Sequence, residues 1–197
     1  MNIEEKNIEI ERIMACPNCN RKVLLPAIIN KFDYKVGVEV GVSWGGHAIH
    51  LVKNSGIYLY LVDNYNDYEA VPRHDRKYNM KSTGDSRYGE AQVNLKEYID
   101  KKRCELIRAN SVDAALGVAD NSLDFIYIDA DHSYVGTKGD IAAWYPKVKV
   151  GGVMAGHDYK NRASCRVKKS VDEFIKEQGL RLFVIQGRGC GWIFIKK

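Results

Sequence analysis

Residues 36–63, VGVEVGVSWGGHAIHLVKNSGIYLYLVD, contain the pattern that determines the architecture. A short β-branched run ends in a glycine turn, an amphipathic segment follows, and a second apolar run closes the stretch, which predicts a strand–helix–strand unit. Strand and helix patterns continue to alternate toward the C-terminus, where a helix is predicted over 165–178 with Ser164 as its N-terminal cap. Such alternation is typical of an α/β protein with a mostly parallel sheet.

The last two predicted strands, RLFVIQ (181–186) and CGWIFIK (190–196), are separated only by GRG. A parallel connection needs about a dozen residues or more, so this short link predicts an antiparallel hairpin. The chain is therefore expected to form a three-layer Rossmann-like sandwich, with a seven-stranded, mostly parallel sheet whose last strand is antiparallel. Residues 1–34 have a helical spacing of isoleucines and are predicted as an N-terminal helical appendage to a main domain over 35–197.

The 197-residue chain carries a net charge of +5 and is 45% hydrophobic, which argues against disordered and coiled-coil classes. Its longest unbroken apolar run, residues 57–62, is much shorter than the about 20 residues of a membrane helix. The N-terminus lacks the regions of a secretory signal, and the five cysteines are scattered, so we expect reduced thiols and a cytoplasmic location. CPNC (16–19) lacks the further ligands of a closed zinc site and is predicted as a turn.

Basic residues cluster only weakly, at 101–103 and 162–169. A nucleic-acid-binding surface usually gathers its positive charge on one face, so nucleic acid is not the expected partner. We expect a small-molecule substrate and no membrane association, and the sequence leaves a homo-oligomer open.

The predicted first strand and its turn, VEVGVSWGG (38–46), indicate a ligand site. Ligands of open α/β sheets bind beyond the carboxyl ends of the strands, and Gly41 permits a tight turn and a close backbone approach there. Asp63 ends the second strand about 20 residues later, the spacing at which a carboxylate binds ribose hydroxyls. The pattern predicts nucleoside binding; the alternative is a glycine-rich packing turn with a surface aspartate.

Two features of this turn distinguish among nucleoside ligands. The turn reads G-V-S-W-G-G (41–46) and lacks the second glycine of the dinucleotide-binding pattern G-x-G-x-x-G. Glu39 adds a carboxylate that repels phosphate and suits a cationic α-ammonium group. These residues favour S-adenosylmethionine as the cofactor. An NAD(P)-binding Rossmann-type oxidoreductase and a non-catalytic cofactor-binding module are the alternatives.

The motif E-x-G-x-S-x-G (39–45) and the run YIDADHSYVGTKGDIAAWYPKVKVGGVMAGHDY (127–159) carry a resemblance to a known family. Over 35–197 the chain resembles class I S-adenosylmethionine-dependent methyltransferases, in particular the small bacterial branch near the macrocin-type, cephalosporin-type and cation-dependent O-methyltransferases. The resemblance implies these cofactor contacts: Glu39, Gly41 and Ser43 on the methionine part, Asp63 on the ribose, Ser111 by the adenine, with Trp44 and Asp129 beside them. For Trp44, the alternative to this role is packing at the start of the helix.

Acidic and histidine side chains follow the predicted fourth and fifth strands. Asp129 ends strand four and is followed by His132, whereas His157 and Asp158 end strand five. Neighbouring strands lie about 4.8 Å apart, so the carboxylates are expected to meet, and they repel each other unless a cation lies between them. Oxygen ligands suit Mg²⁺ and histidine favours Mn²⁺, so Asp129, His157 and Asp158 are predicted to bind a divalent cation. The alternative is a metal-free site with a hydrogen-bonded core histidine at 157.

His132 is the predicted general base, with Asp129 beside it as the second catalytic residue. Histidine titrates near neutral pH, and in the resembling catechol-type enzymes a basic residue at this offset takes the proton of the acceptor. Lys138 is the alternative base. The segment 64–88 is long and rich in tyrosine and arginine, which predicts a lid over a small hydroxylated acceptor such as a sugar or a phenol. The alternative is an exposed variable loop.

Overall fold

The computed structural model describes residues 1–16, 20–67, 83–163, 165–186 and 190–197. Within these residues, seven strands span Val36–Val40 (β1), Tyr58–Asp63 (β2), Cys104–Arg108 (β3), Leu123–Ile128 (β4), Val148–His157 (β5), Phe183–Ile185 (β6) and Gly191–Ile195 (β7). Seven α-helices in the same ranges span Ile3–Met14 (α1), Arg21–Lys31 (α2), Gly46–Asn54 (α3), Gly84–Asp100 (α4), Ser111–Leu116 (α5), Tyr134–Trp144 (α6) and Val167–Gln178 (α7).

The strands form one sheet in the order β3-β2-β1-β4-β5-β7-β6. Strands β1 to β5 pair in parallel, and β7 lies antiparallel between β5 and β6. This topology confirms the predicted Rossmann-like sheet with a reversed last strand. Because β1 pairs with β2 on one side and with β4 on the other, the strand order changes direction at β1. The carboxyl ends of β1 and β4 therefore lie at the switch point, where open α/β sheets bind their ligands.

Helices cover both faces of the sheet because its central strands are apolar on both faces. Alternation along β4 illustrates this: Phe125 belongs to one core cluster, and its neighbour Ile126 belongs to the other. Among the described helices, none is both long enough and apolar enough to cross a membrane.

The N-terminal helices α1 and α2 cover one face of the sheet. Ile10, Leu24 and Ile28 are fully buried in the same core cluster as side chains of the sheet. The Lys6 ammonium donates a hydrogen bond of 2.6 Å to the carbonyl of Gly151, which ties α1 to β5. The segment 1–34 thus forms helices as expected, while its separation from a domain over 35–197 stays a prediction.

Two local differences from the sequence-based expectations have clear physical reasons. Helix α5 was not expected, because its six residues are too few to display a helical period. Helix α7 begins at Val167 and not at 165, because the backbones of Arg162 and Cys165 form a bridge that holds Cys165 outside the helix. Gly179 ends α7 in a left-handed conformation. The predicted cap Ser164 lies outside the described residues.

Gly41 sets how closely the ends of β1 and β4 approach each other. Its φ is +90°, and a Cβ placed on it would lie 2.2 Å from the carbonyl oxygen of Asp129. On the other side of the contact, the Asp129 N–H donates a hydrogen bond of 2.8 Å to the carbonyl of Val40. Only glycine combines this backbone angle with this close approach.

Replacing Gly41 by alanine should therefore destabilise the fold by about 1–3 kcal/mol or more, because the methyl group needs both a strained φ and a displaced β4 end. Chemical denaturation would measure the free energy of unfolding. Gly56→Ala is the matched control, since a Cβ at Gly56 would meet no atom within 4 Å. Equal stabilities of the two variants would contradict this reading of the contact.

Candidate functional site

Asp63 holds the glycine turn in place from the end of β2. Its Oδ2 atom accepts hydrogen bonds of 2.9 Å from the backbone N–H groups of both Val42 and Ser43. Its Oδ1 atom accepts a bond of 2.8 Å from the N–H of Tyr65. A carboxylate can accept about four hydrogen bonds, so Asp63 keeps capacity for a further donor such as a ribose hydroxyl. Asp63, which is predicted to bind ribose, therefore also holds the glycine turn in its conformation through these two hydrogen bonds, an arrangement called the Asp63 clamp below.

Glu39 is 1% exposed and points its carboxylate into the interior near the end of β1. Its Oε2 atom lies 3.2 Å from Nδ1 of His47, and the His47 ring stacks on Tyr127 with ring centroids 4.1 Å apart. Sequence reasoning did not identify His47 as a site residue. Its place in the first turn of α3, directed back toward β1, is the signal that could have revealed this pairing.

Two polar atoms of this region are buried without a hydrogen-bond partner among the described residues. They are Nε2 of His47 and the hydroxyl of Tyr65. Buried polar groups in folded proteins almost always have partners, so unpartnered ones close to Glu39 fit a region that a polar ligand completes. This observation supports the fit of a cofactor with a cationic amino-acid end.

Ser111, predicted beside the adenine, begins α5 and is tied to α6. Trp144 Nε1 donates a hydrogen bond of 2.9 Å to Ser111 Oγ. The buried Asp140 also hydrogen-bonds to Ser111. Burial raises the pKa of Asp140 to about 6 against the opposing effect of the Ser111 bond, and the charge of Asp131 adds to the rise. Sequence reasoning missed Asp140 and Trp144, because each falls in an otherwise ordinary helical pattern.

Trp44 lies at the rim of the same region. It is 40% exposed, and its backbone carbonyl accepts a hydrogen bond of 2.9 Å from the side chain of Asn94 on α4. The indole is therefore placed on the turn that precedes α3, and its role as a cover over the cofactor pocket stays a prediction.

The second group of predicted residues meets at the carboxyl ends of β4 and β5. Ile128 pairs with Gly156 across these strands, so the next residues, Asp129 and His157, lie side by side at the carboxyl ends of the two strands. Asp129 Oδ1 lies 3.2 Å from His157 Nδ1 and 3.1 Å from His132 Nε2. The structure thus brings together the predicted base and two of the predicted metal ligands.

Both carboxylates of this group are held in the ionised form. Burial alone would raise the pKa of Asp129, but hydrogen bonds from His132 and His157 outweigh it and hold that pKa well below its usual value. Burial likewise opposes ionisation of Asp158, yet the hydrogen bond from Lys160 and the electrostatic effect of the neighbouring His157 and His132 lower its pKa. Asp158 Oδ1 lies 2.7 Å from Lys160 Nζ, and its Oδ2 lies 3.6 Å from His132 Nδ1.

The arrangement fits a divalent cation. Asp129, His132 and His157 each offer one ligand atom, and these atoms lie within 4.8 Å of one another. Two imidazole nitrogens and one carboxylate oxygen suit Mn²⁺ or another transition metal better than Mg²⁺. Asp158, a predicted ligand, is not in this set of three and instead lies behind His132. The Nε2 atom of His132 faces Asp129, and its Nδ1 atom faces Asp158. The position of His132 is therefore compatible with the role of a metal ligand as well as with that of a base.

Arg21, the first residue of α2, enters the site from the N-terminal segment. Its Nη1 atom lies 3.6 Å from Asp129 Oδ2 and donates a hydrogen bond of 3.2 Å to the hydroxyl of Tyr127. Sequence reasoning missed this residue, because no local pattern shows which strand a helix start will face. Lys138, the alternative base, has a different environment, with contacts to the hydroxyl of Tyr134 and to Glu173.

Comparisons with known proteins identify the family and the fold of this chain. Residues 35–159 match a family model described as a methyltransferase domain. No curated protein gives a significant match. The chain is similar to a Staphylococcus aureus protein described as a candidate caffeoyl-CoA O-methyltransferase, with a TM-score of 0.63 and 18% identity over 99% of this chain and 92% of that one.

Two further solved structures give the same likeness. An O-methyltransferase from Bacillus cereus in complex with SAH (S-adenosylhomocysteine) has a TM-score of 0.64 at 14% identity, over 98% of this chain and 91% of that one. An rRNA methylase from Streptococcus thermophilus has a TM-score of 0.63 at 13% identity, over 92% of this chain and 99% of that one. At such identities the likeness concerns the fold alone, and that fold is shared by proteins with different acceptors.

The raised pKa of Asp140 predicts a pH-dependent stability. An unfolded aspartate has a pKa of about 3.9, so the folded state binds this proton more tightly, and the stabilisation is complete below about pH 4 and lost as the pH rises through 6. Asp140→Asn stays neutral, so its free energy of unfolding should gain on that of the wild type between about pH 4 and about pH 6.5, by at most roughly 3 kcal/mol.

Thermal melts across this pH range would measure the difference. Asp113→Asn, which neutralises an exposed carboxylate on the same helix as Ser111, is the control and should show a constant offset. A constant offset for Asp140→Asn as well would show that Asp140 titrates normally in the folded protein.

Proposed function

The chain belongs to the class I S-adenosylmethionine-dependent methyltransferases, and we propose that it methylates a hydroxyl oxygen of a small molecule with the help of a divalent cation. The observation that carries the proposal is the meeting of two groups at one edge of the sheet. Glu39 and Asp63 lie on the cofactor side, and Asp129 with His132 and His157 lies beside them.

On the cofactor side, we assign Glu39 to the α-ammonium group, Asp63 to the ribose and Ser111 to the neighbourhood of the adenine. The turn at Gly41 and Ser43 lies between them, with Trp44 at its rim. When bound, S-adenosylmethionine supplies a methyl group activated by a positively charged sulfur, which the buried charge of Glu39 complements.

The geometry disfavours the dinucleotide alternative. A pyrophosphate in a Rossmann site is held by free backbone N–H groups at the start of a helix. Here the N–H groups of Val42 and Ser43 are already bonded to Asp63. The turn therefore offers fewer donors to a diphosphate, while the carboxylates of Glu39 and Asp63 remain suited to a cationic nucleoside.

On the acceptor side, we assign His132 as the general base. With its Nε2–H donated to Asp129, the unprotonated Nδ1 can take the proton of the acceptor hydroxyl, and Asp158 at 3.6 Å then stabilises the imidazolium. The acceptor oxygen forms its new bond to the methyl carbon as the bond from that carbon to sulfur breaks. Alignment of these three atoms is the main demand on the protein.

We assign Asp129 and His157 as cation ligands and keep Asp158 as the third, because its Oδ1 lies 3.8 Å from His157 Nδ1 although it is outside the set of three described above. Mn²⁺ is favoured over Mg²⁺ because of the imidazole. A divalent cation, when bound, lowers the pKa of a coordinated hydroxyl and orients it. Asp129 is suited to this role because the surrounding hydrogen bonds keep it anionic.

The acceptor class rests on the fold relatives whose descriptions name oxygen acceptors and on the weak basic patches of the chain. Most of the proposed lid, residues 68–82, lies outside the described residues. Of its described part, Tyr65 and Tyr88 pack against each other with centroids 5.0 Å apart, and Arg87 donates a bond of 2.7 Å to the carbonyl of Asn66. These three side chains therefore support the base of the segment. A cytoplasmic location stays a prediction, and the sequence leaves a homo-oligomer open.

Calorimetry with S-adenosylhomocysteine and NADH tests the cofactor assignment. We expect binding of the first and none of the second. Glu39→Gln should weaken S-adenosylhomocysteine binding about 10- to 100-fold, because it removes a charge-assisted hydrogen bond worth about 1.5–3 kcal/mol. Glu105→Gln, the same change at an exposed position on β3, should leave the affinity unaltered. Tight NADH binding without S-adenosylhomocysteine binding would overturn the assignment.

Mass spectrometry with a panel of catechols and hydroxylated sugars tests transfer, since a methylated product gains one CH₂. For a compound that the wild type methylates, His132→Gln should lower the rate about 10²–10⁴-fold through loss of the base. The same variant should keep its Mn²⁺ affinity within about threefold if His132 is the base and not a ligand. His50→Gln on α3 is the control. A large loss of Mn²⁺ affinity would move His132 to the ligand set.

A further inference from the structure

We propose that Arg21 is the resident counter-ion of Asp129, and that it competes with the divalent cation for this carboxylate so that helix α2 sets the cation affinity of the site. The inference rests on the cation-assisted function proposed above. It gives the N-terminal segment a role in the site, beyond covering the sheet.

The oxygens of Asp129 are divided between two sets of partners. Oδ1 faces His132 and His157, whereas Oδ2 faces the guanidinium of Arg21 at 3.6 Å. The side chains of Arg21 and Asp129 are only 25% and 21% exposed, so water screens their charges incompletely. A cation that binds Asp129 must therefore either tolerate the positive charge of Arg21 nearby or displace it.

Helix α2 cannot move away to relieve this conflict. Leu24, Leu25 and Ile28 of α2 are fully buried in the core, and Asn20 caps the helix start through a hydrogen bond of 2.9 Å from the N–H of Lys22. The start of the helix is thus fixed beside Asp129. Relief must come from rotation of the Arg21 side chain alone.

Displacement of Arg21 also breaks a second contact. Its Nη1 atom donates to the hydroxyl of Tyr127, and the Tyr127 ring stacks on His47, the partner of Glu39. The loss of this hydrogen bond adds to the cost of displacing the guanidinium. Both effects act in the same direction, toward weaker cation binding in the presence of Arg21.

The test is a Mn²⁺ titration of the full chain by calorimetry. Arg21→Met should bind Mn²⁺ at least about fivefold more tightly than the wild type, because it removes a like charge close to the ion. Lys22→Met is the matched control: it removes the same charge one residue along the same helix, at an exposed position. The control should match the wild type, and Arg21→Lys, which keeps the charge, should lie closer to the wild type than to Arg21→Met.

Arg21→Gln serves as a second neutral variant should the methionine variant fold poorly, as judged by circular dichroism. Equal affinities in Arg21→Met and Lys22→Met, or weaker binding in Arg21→Met, would overturn the inference. If wild type and all variants fail to bind Mn²⁺ but bind S-adenosylhomocysteine, the cation part of the proposed function is wrong and this inference falls with it. An affinity gain confined to the neutral variants, Arg21→Met and Arg21→Gln, supports both.

Discussion

The approach of Gly41 to the backbone of Asp129 sets the geometry of the whole site. The end of β1 leads into the turn that is hydrogen-bonded to Asp63. The end of β4 leads into Asp129, whose carboxylate contacts the two histidines. Because no side chain intervenes at Gly41, the two regions are direct neighbours at the switch point of the sheet. A methyl donor on one side and an acceptor on the other can then meet without any large rearrangement of the backbone.

Charge distribution explains why the two regions differ in chemistry. On the cofactor side, the carboxylate of Asp63 accepts hydrogen bonds from backbone N–H groups, and the carboxylate of Glu39 contacts His47. On the acceptor side, Asp129 contacts two imidazoles, whose hydrogen bonds keep it anionic despite burial, and it also lies 3.6 Å from the guanidinium of Arg21. The first arrangement leaves negative charge for a cationic ligand. The second concentrates proton-handling groups around a single carboxylate.

Periodicity and link lengths were sufficient to predict the sheet, its reversed strand and the placement of Asp129, His157 and Asp158 at neighbouring strand ends, because these follow from parallel pairing and local spacing. They could not predict α5, which is too short for a period, or the later start of α7, which a backbone bridge at Cys165 imposes. Arg21 was beyond sequence reasoning for a different reason. Its contact with Asp129 depends on how α2 docks on the sheet, and side-chain packing over many residues decides that.

The Asp63 clamp has a consequence for the energetics of binding. The backbone N–H groups of Val42 and Ser43 are hydrogen-bonded to the Asp63 carboxylate of the protein itself. These bonds hold the shape of the turn without a ligand, although Ser43 has a φ of +51°. The conformational entropy of that turn is lost during folding and not during ligand capture. Such preorganisation lets a small molecule gain affinity from few contacts, and it makes the turn a rigid template on which selectivity for ligand shape can evolve.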